Sequence, residues 1–220
     1  MAAFSGRVAV ASVGVSCQGA YQIRRHGELI GRLTGGTTVE RTTVFDWMIC
    51  PASSVAALIA EGRYYPHQIG ELAERVMPYW PDHNCWYWHY AAQVKEGEPF
   101  MALFAHLSSS FEAITDAERQ VFILANSQNN LTWVDEVVGG DLDYHLRDAD
   151  VDGLRSALLG RFPRAELYVV SYPHRHSITS AVNAAALFEL PLDDTEWKGD
   201  DDNWTPIFEA ILKRDAPTGA

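Results

Sequence analysis

The stretch Val8-Ala9-Val10-Ala11-Ser12-Val13-Gly14-Val15-Ser16-Cys17-Gln18-Gly19 decides how this chain is read. Its first part, Val8–Val15, is an uncharged, β-branched apolar run, the pattern of a strand buried on both faces. Ser16 can cap a helix. Ala20, Ile23 and Arg24 carry that helix on to His26, where Gly27 fits as its stop. A buried strand feeding straight into a helix is the opening unit of a layered α/β fold.

The same alternation continues outward. Gln120–Ala125 (QVFILA) and Glu166–Ser171 (ELYVVS) read as two further buried strands. Helices are predicted over Ala52–Ala60 with Pro51 at N1, Pro66–Val76, Pro99–Asp116, Asp150–Phe162, Ser180–Phe188 and Pro206–Lys213. Cys85–Tyr90 is strand-like by its aromatic content. Gly31–Thr43 reads as an extended loop or weak hairpin, Asp193–Asp202 as an acidic loop, and the tail Asp215–Ala220 as frayed. The expected architecture is α/β: a layered, mostly parallel sheet flanked by helices, in one domain over 1–220. The loops near 31–43 and 193–202 are its mobile parts.

Composition narrows the function classes. The chain has 220 residues, 47% hydrophobic and 21% charged, ordinary for a soluble globular protein. Asp and Glu number 29 against 17 Lys and Arg, a net charge of −12. That opposes a broad nucleic-acid or anionic-membrane surface, since both need a basic footprint. No apolar run reaches the length of a transmembrane helix, and MAAFSGRVAVASVGVSC reads as a first strand and not a signal peptide. Three cysteines are not a disulfide framework. The expectation is a cytoplasmic protein.

Cys17 is the residue that carries chemistry. It follows a buried strand at the first turn of a helix, where amides and the macrodipole favour an anion and lower a thiol pKa. In open α/β sheets the crevice at strand C-terminal ends is where ligands bind. The backbone N–H groups of Cys17 and Gln18, and the Gln18 side chain, are candidate oxyanion donors. His89, within Trp86-Tyr87-Trp88-His89-Tyr90, is a candidate general base. On a period-2 strand it shares a face with Tyr87. Asp46, a carboxylate between Phe45 and Trp47, can orient a histidine or bind substrate, and Asn126 at the end of QVFILA can orient an imidazole. Tyr21, Trp47, Tyr87 and His174 are candidate substrate contacts, with Trp86 and Trp88 as further pocket walls. Cys50 and Cys85 read as packed residues. Asn129 and Asn130 read as loop formers. Gly14 to Gly19 has the glycine spacing of a phosphate loop without the Lys-Ser/Thr that follows it in nucleotide hydrolases. His83, Cys85 and His89 lack a second ligand pair at zinc-site spacing. No cofactor and no metal are called for.

Val13-Gly14-Val15-Ser16-Cys17-Gln18-Gly19-Ala20-Tyr21-Gln22-Ile23-Arg24-Arg25-His26-Gly27, followed by Phe45-Asp46-Trp47-Met48-Ile49, resembles an uncharacterised family described as papain-like cysteine peptidases. Trp88-His89, Val121–Leu124, Trp197-Lys198-Gly199-Asp200 and Trp204 extend the resemblance. It implies Cys17 as nucleophile, His89 as base and a papain-like α+β fold as the alternative architecture. This chain has His89-Tyr90-Ala91 where the family has His-Asp-Phe. It also has Phe100-Met101-Ala102-Leu103-Phe104 where the family has an Arg-rich helix. The order of buried strands is closer to a doubly wound hydrolase of the SGNH type with Cys in the nucleophile position.

The expected function is thus cysteine-nucleophile acyl transfer by a hydrolase, a peptidase-like enzyme or an acyl- or amidotransferase. It would act on a small-molecule, peptidyl or acyl substrate. The rivals are a binding protein for a sugar- or nucleotide-type ligand and an inactive relative that works through a protein partner. A homo-oligomer stays open.

Overall fold

The computed structural model describes residues 6–36, 38–39, 42–131, 133, 136, 143–191 and 197–213. At its centre is a parallel sheet of β2 (Thr38–Val39), β1 (Val8–Val15), β5 (Arg119–Asn126), β7 (Ala165–Ser171) and β9 (Leu187–Glu189), in that spatial order. Relabelled by sequence within the sheet, the order is 2-1-3-4-5, a doubly wound arrangement. Of the two architectures expected, the chain adopts the layered parallel one.

Every residue of β1 and β5 is buried, because helices cover both faces. On one face, Val8, Val10, Val121, Ile123 and Val170 pack against α1 (Gln18–Arg25), α2 (Gly27–Leu33) and α8 (Asp201–Leu212) through Ile23, Ile30, Trp204, Phe208 and Ile211. On the other, Ala9, Ala11, Val13, Phe122, Leu124 and Val169 meet α3 (Ala52–Glu61), α5 (Glu98–Glu112) and α6 (Asp148–Arg161). There Val55, Leu58, Phe104, Phe111, Leu154 and Leu158 fill the space. The period-2 alternation of β1 thus splits its side chains between two cores.

Several expected elements change, each for a local reason. The first helix has Cys17, not Ser16, at its N-cap, and Ser16 Oγ is buried without a hydrogen-bond partner. Gly27 does not end the helical region. The chain kinks at His26 and restarts as α2, so that fully buried Ile30 joins the core under α8. Gly31–Leu33 is therefore helical and Thr38–Val39 pairs with β1, while 37, 40 and 41 of the expected loop lie outside the described residues.

Over Pro66–Val76 only Ile69–Glu71 forms a short 3-10 turn. Glu71 accepts the backbone N–H groups of His67 and Gln68, and Ala73 N–H bonds to the Tyr79 carbonyl, so tertiary pairing replaces a helix. The aromatic stretch is extended only at β4 (Cys85–Trp86), paired with β3 (Tyr79–Trp80). Trp88–Tyr90 is a 3-10 turn that leads into α4 (Ala91–Glu96). The shared face expected for Tyr87 and His89 therefore does not exist.

The expected Ser180–Phe188 helix is cut to α7 (Ala181–Ala184), because Leu187–Glu189 instead completes the hydrogen-bonding edge of β7. The last helix begins at Asp201, not Pro206. Asp200 accepts the Asp202 N–H at 2.9 Å, and Asp201 and Asp202 suit a helix N-terminus. The end of the expected acidic loop is thus a capped first turn, while 193–196 and the tail 215–220 lie outside the described residues. A small parallel pair, β6 (Leu146–Arg147) with β8 (His176–Ser177), closes the loops beyond β7. Among the described residues no helix is long and apolar enough to cross a membrane.

Candidate functional site

In the order 2-1-3-4-5 the strand order reverses between the parallel neighbours β1 and β5, and the crevice beyond their C-terminal ends is where such sheets bind ligands. Cys17 leaves the end of β1, and Ser127 and Gln128 leave the end of β5. A cavity of about 160 Å³ opens there, lined by Cys17, Ile49, Trp88, His89, Gln128, Asn130, Trp133 and Trp197. The expected nucleophile and base, far apart in sequence, thus face one space.

Cys17 is only 4% exposed, and its thiol donates to Gln128 Oε1 at 3.4 Å. Burial pushes the thiol up to about 12, although its own backbone N–H pulls the other way. The low thiol pKa expected from the helix N-terminus is therefore not the resting state, because desolvation of the anion dominates. Gln128 is fixed in turn: its Nε2 donates to Asn130 Oδ1 at 2.7 Å, and its carbonyl accepts Arg175 Nη1.

His89 sits on the exposed wall. Partial desolvation holds its imidazole below the ordinary 6.5. Its ring meets Trp47 edge-on at 5.1 Å and Trp197 at 6.3 Å. Among the described residues its nitrogens take no hydrogen bond from a side chain or backbone group, and the residue lines the cavity.

The helix start is anchored by side chains. Gln18 Nε2 donates to the Trp197 carbonyl at 2.8 Å, Ser127 donates to Gln18 Oε1, and Gln22 Nε2 donates to the Lys198 carbonyl at 2.8 Å. These bonds clip Trp197 over the cavity. They also commit both ends of the Gln18 side-chain amide, one of the oxyanion donors expected from sequence, to other partners. Gly199 turns at φ 74°, and a Cβ there would lie 2.9 Å from Gln18 Nε2.

Other expected site residues are placed elsewhere. Asp46 does not orient His89. It accepts Thr43 Oγ1 at 2.8 Å and pairs with Arg24 at 2.7 Å, beside a separate cavity of about 180 Å³ bounded by Ser12, Ala20 and Ile23. Its link to the site is indirect: the Arg24 guanidinium lies 4.6 Å over the Trp47 ring that contacts His89. Asn126 does not reach the imidazole either, since its amide donates to the carbonyls of Tyr144 and Arg175 and ties two loops together. Tyr87 is fully buried between Phe100 and Phe104, and Trp86 is buried in a stack with Tyr79. His174 is exposed and stacks on Tyr172, away from the cavity lining. Tyr21 stands behind the wall with its ring edge-on to Trp197 at 5.3 Å.

Ile49, Gln128, Asn130 and Trp133 were not expected in the site. The signal that found Cys17, the end of a buried strand, also singles out Ser127-Gln128. Trp133 is about half exposed and meets Trp88 edge-on at 5.7 Å. Among the described residues no group of three or more His, Cys, Asp and Glu could hold a metal ion.

Comparison with protein-family models, with curated proteins and with solved structures finds no match to this chain.

Proposed function

We propose that the chain is a thiol-dependent acyl-transfer enzyme with Cys17 as nucleophile and His89 as general base. The observation that carries this reading is that Cys17, at the start of a helix, and His89, whose ring nitrogens make no hydrogen bond among the described residues, line one cavity at the switch point of the sheet. The electrostatics favour a neutral pair over a resting thiolate–imidazolium pair. Burial raises the thiol, and desolvation lowers the imidazole. A neutral imidazole can accept a proton, so deprotonation is coupled to attack.

In this mechanism His89 takes the Cys17 proton as sulfur attacks the acyl carbonyl. The developing oxyanion meets the N–H groups of the first turn of α1. The leaving group then receives the proton from His89, and a thioester remains on Cys17 for water or a second nucleophile. Gln128 releases the thiol as the acyl group enters.

The test is incubation with a panel of activated esters and thioesters, read as an acyl adduct on the Cys17 peptide by mass spectrometry. Wild type acquires the adduct, and its rate rises with pH to a plateau set by an imidazole titrating below 6.5. His89→Ala slows acylation by 10²–10⁴-fold, the usual worth of a general base, roughly. No adduct on Cys17 across the panel, or equal rates in His89→Ala, overturns the reading.

A second reading rests on Trp88, Trp133 and Trp197, three indoles around one small cavity beside the amides of Gln128 and Asn130. Indole faces with amide groups suit non-covalent binding of a ring-bearing ligand such as a sugar. Cys17→Ser separates the two readings: a binding protein keeps its ligand affinity, and an acyl-transfer enzyme loses turnover.

A further inference from the structure

Ile49 and Trp86 exchange both backbone hydrogen bonds, at 3.0 and 2.9 Å, as a hydrogen-bonded pair of an antiparallel bridge. The next pair in that register sets Cys50 opposite Cys85, a non-hydrogen-bonded pair. Cα atoms approach closest at such pairs, and the side chains stand side by side on one face. That approach lies within the span of a disulfide. Both thiols are free, at most 1% exposed and in contact with each other. Cys17 is apart from them, its thiol committed to Gln128.

We propose that Cys50 and Cys85 form a reversible intrachain disulfide, a modification site separate from the Cys17 pocket and independent of the acyl-transfer reading. A low-molecular-weight disulfide such as oxidised glutathione is the co-reactant. One cysteine sulfur, on losing its proton, attacks and breaks the glutathione disulfide, releasing one glutathione thiol and leaving a mixed disulfide. The second cysteine displaces the other glutathione. Two electrons pass from the cysteines to glutathione, and the two cysteine protons end on the released thiols. Burial raises the Cys85 thiol well above its ordinary range, so exchange waits on local opening and is slow.

The bond would join two chain segments that carry residues of the Cys17 cavity wall. Cys50 follows Ile49, a cavity residue, and its N–H bonds to the Val15 carbonyl at 3.0 Å, at the end of the strand that leads to Cys17. Cys85 precedes the Trp88-His89 turn. The oxidised pair thus pins the His89-bearing segment to the end of β1.

The experiment equilibrates the full chain in glutathione buffers of graded ratio, blocks free thiols with an alkylating agent and maps peptides without reduction. The expected result is a Cys50–Cys85 linked peptide whose yield follows the glutathione ratio, with Cys17 alkylated. Wild type, and equally Cys17→Ala, gain about 5–10 °C in Tm on oxidation, from the closed loop. The double variant Cys50→Ala/Cys85→Ala shows no such dependence. Absence of the linked peptide in the most oxidising buffer, or a linked peptide that uses Cys17, overturns the proposal.

Discussion

Asp46 is a buried carboxyl held by one guanidinium and one hydroxyl, and burial outweighs both. Its pKa rises from 3.8 to about 6 because desolvation opposes the anion more than Thr43 and Arg24 support it. Between those two values the folded state holds a proton that the unfolded chain has released, so stability falls as pH rises through this window. The term is on the order of 3 kcal/mol, complete by neutral pH. Asp46→Asn removes it. Denaturant unfolding at pH 4 and pH 7 should show the wild type losing stability relative to the variant by that order. A relative gain at pH 7 would mean that the Arg24 pair dominates and that the carboxyl ionises below its ordinary value. The same competition governs Cys17. A helix start favours a thiolate, yet a site closed to 4% exposure desolvates it more strongly. At this scale sequence position placed Cys17 at the end of β1 beside a cavity but not the direction of its pKa shift, because burial of a single sulfur is a tertiary quantity.

The element that positions the site is α1, and its closeness to the sheet depends on Gly19. A Cβ there would lie 2.9 Å from Ser12 Oγ and 3.0 Å from Ala125 Cβ, so β1 and β5 would both have to give. Gly19→Ala should cost about 1–3 kcal/mol by overpacking and lift the helix start that carries Cys17. Urea unfolding reads the first effect. Cys17 alkylation, faster in the variant as its cover loosens, reads the second. Unchanged stability would mean that the helix shifts freely and that its seat on the sheet is not what orders the site. The elements legible in sequence were those with long one-period patterns: VAVASVGV, QVFILA and ELYVVS, and the helices over Ala52–Ala60, Pro99–Asp116 and Asp150–Phe162. Those misread were short and decided by distant partners. Leu187–Glu189 became a strand because β7 had an edge to complete, and Trp88–Tyr90 left the strand because Tyr87 turns into the core between Phe100 and Phe104. Asp46 and Asn126 were sound choices by residue type. Nothing in their spacing encodes that Arg24 and two loop carbonyls claim them first.

Across the whole molecule, the candidate site and the Arg119 tie lie at opposite ends of the sheet. The cavity lies beyond the C-terminal ends of β1 and β5, whereas Arg119 opens β5 at the other end. Arg119 is 3% exposed. It holds Glu166 at the start of β7 through paired bonds of 2.8 and 2.9 Å, and it donates to the Ile211 and Leu212 carbonyls at the end of α8. One guanidinium therefore joins two central strands to the last helix and caps that helix's C-terminus. Arg119→Ala leaves Glu166 buried without its cation and should cost about 3–5 kcal/mol. Arg119→Met with Glu166→Leu removes both charges and should recover a large part of that loss, because a buried pair repays little more than its own desolvation. If the double variant is as unstable as the single, the carbonyls of α8 and not Glu166 account for the arginine. In either variant Cys17 alkylation of the folded fraction should match wild type, since no bond of Arg119 reaches the cavity. A change there would show that the docking of α8 is transmitted through the Trp197–Gly199 clip to the site, and that the two ends of the sheet are coupled.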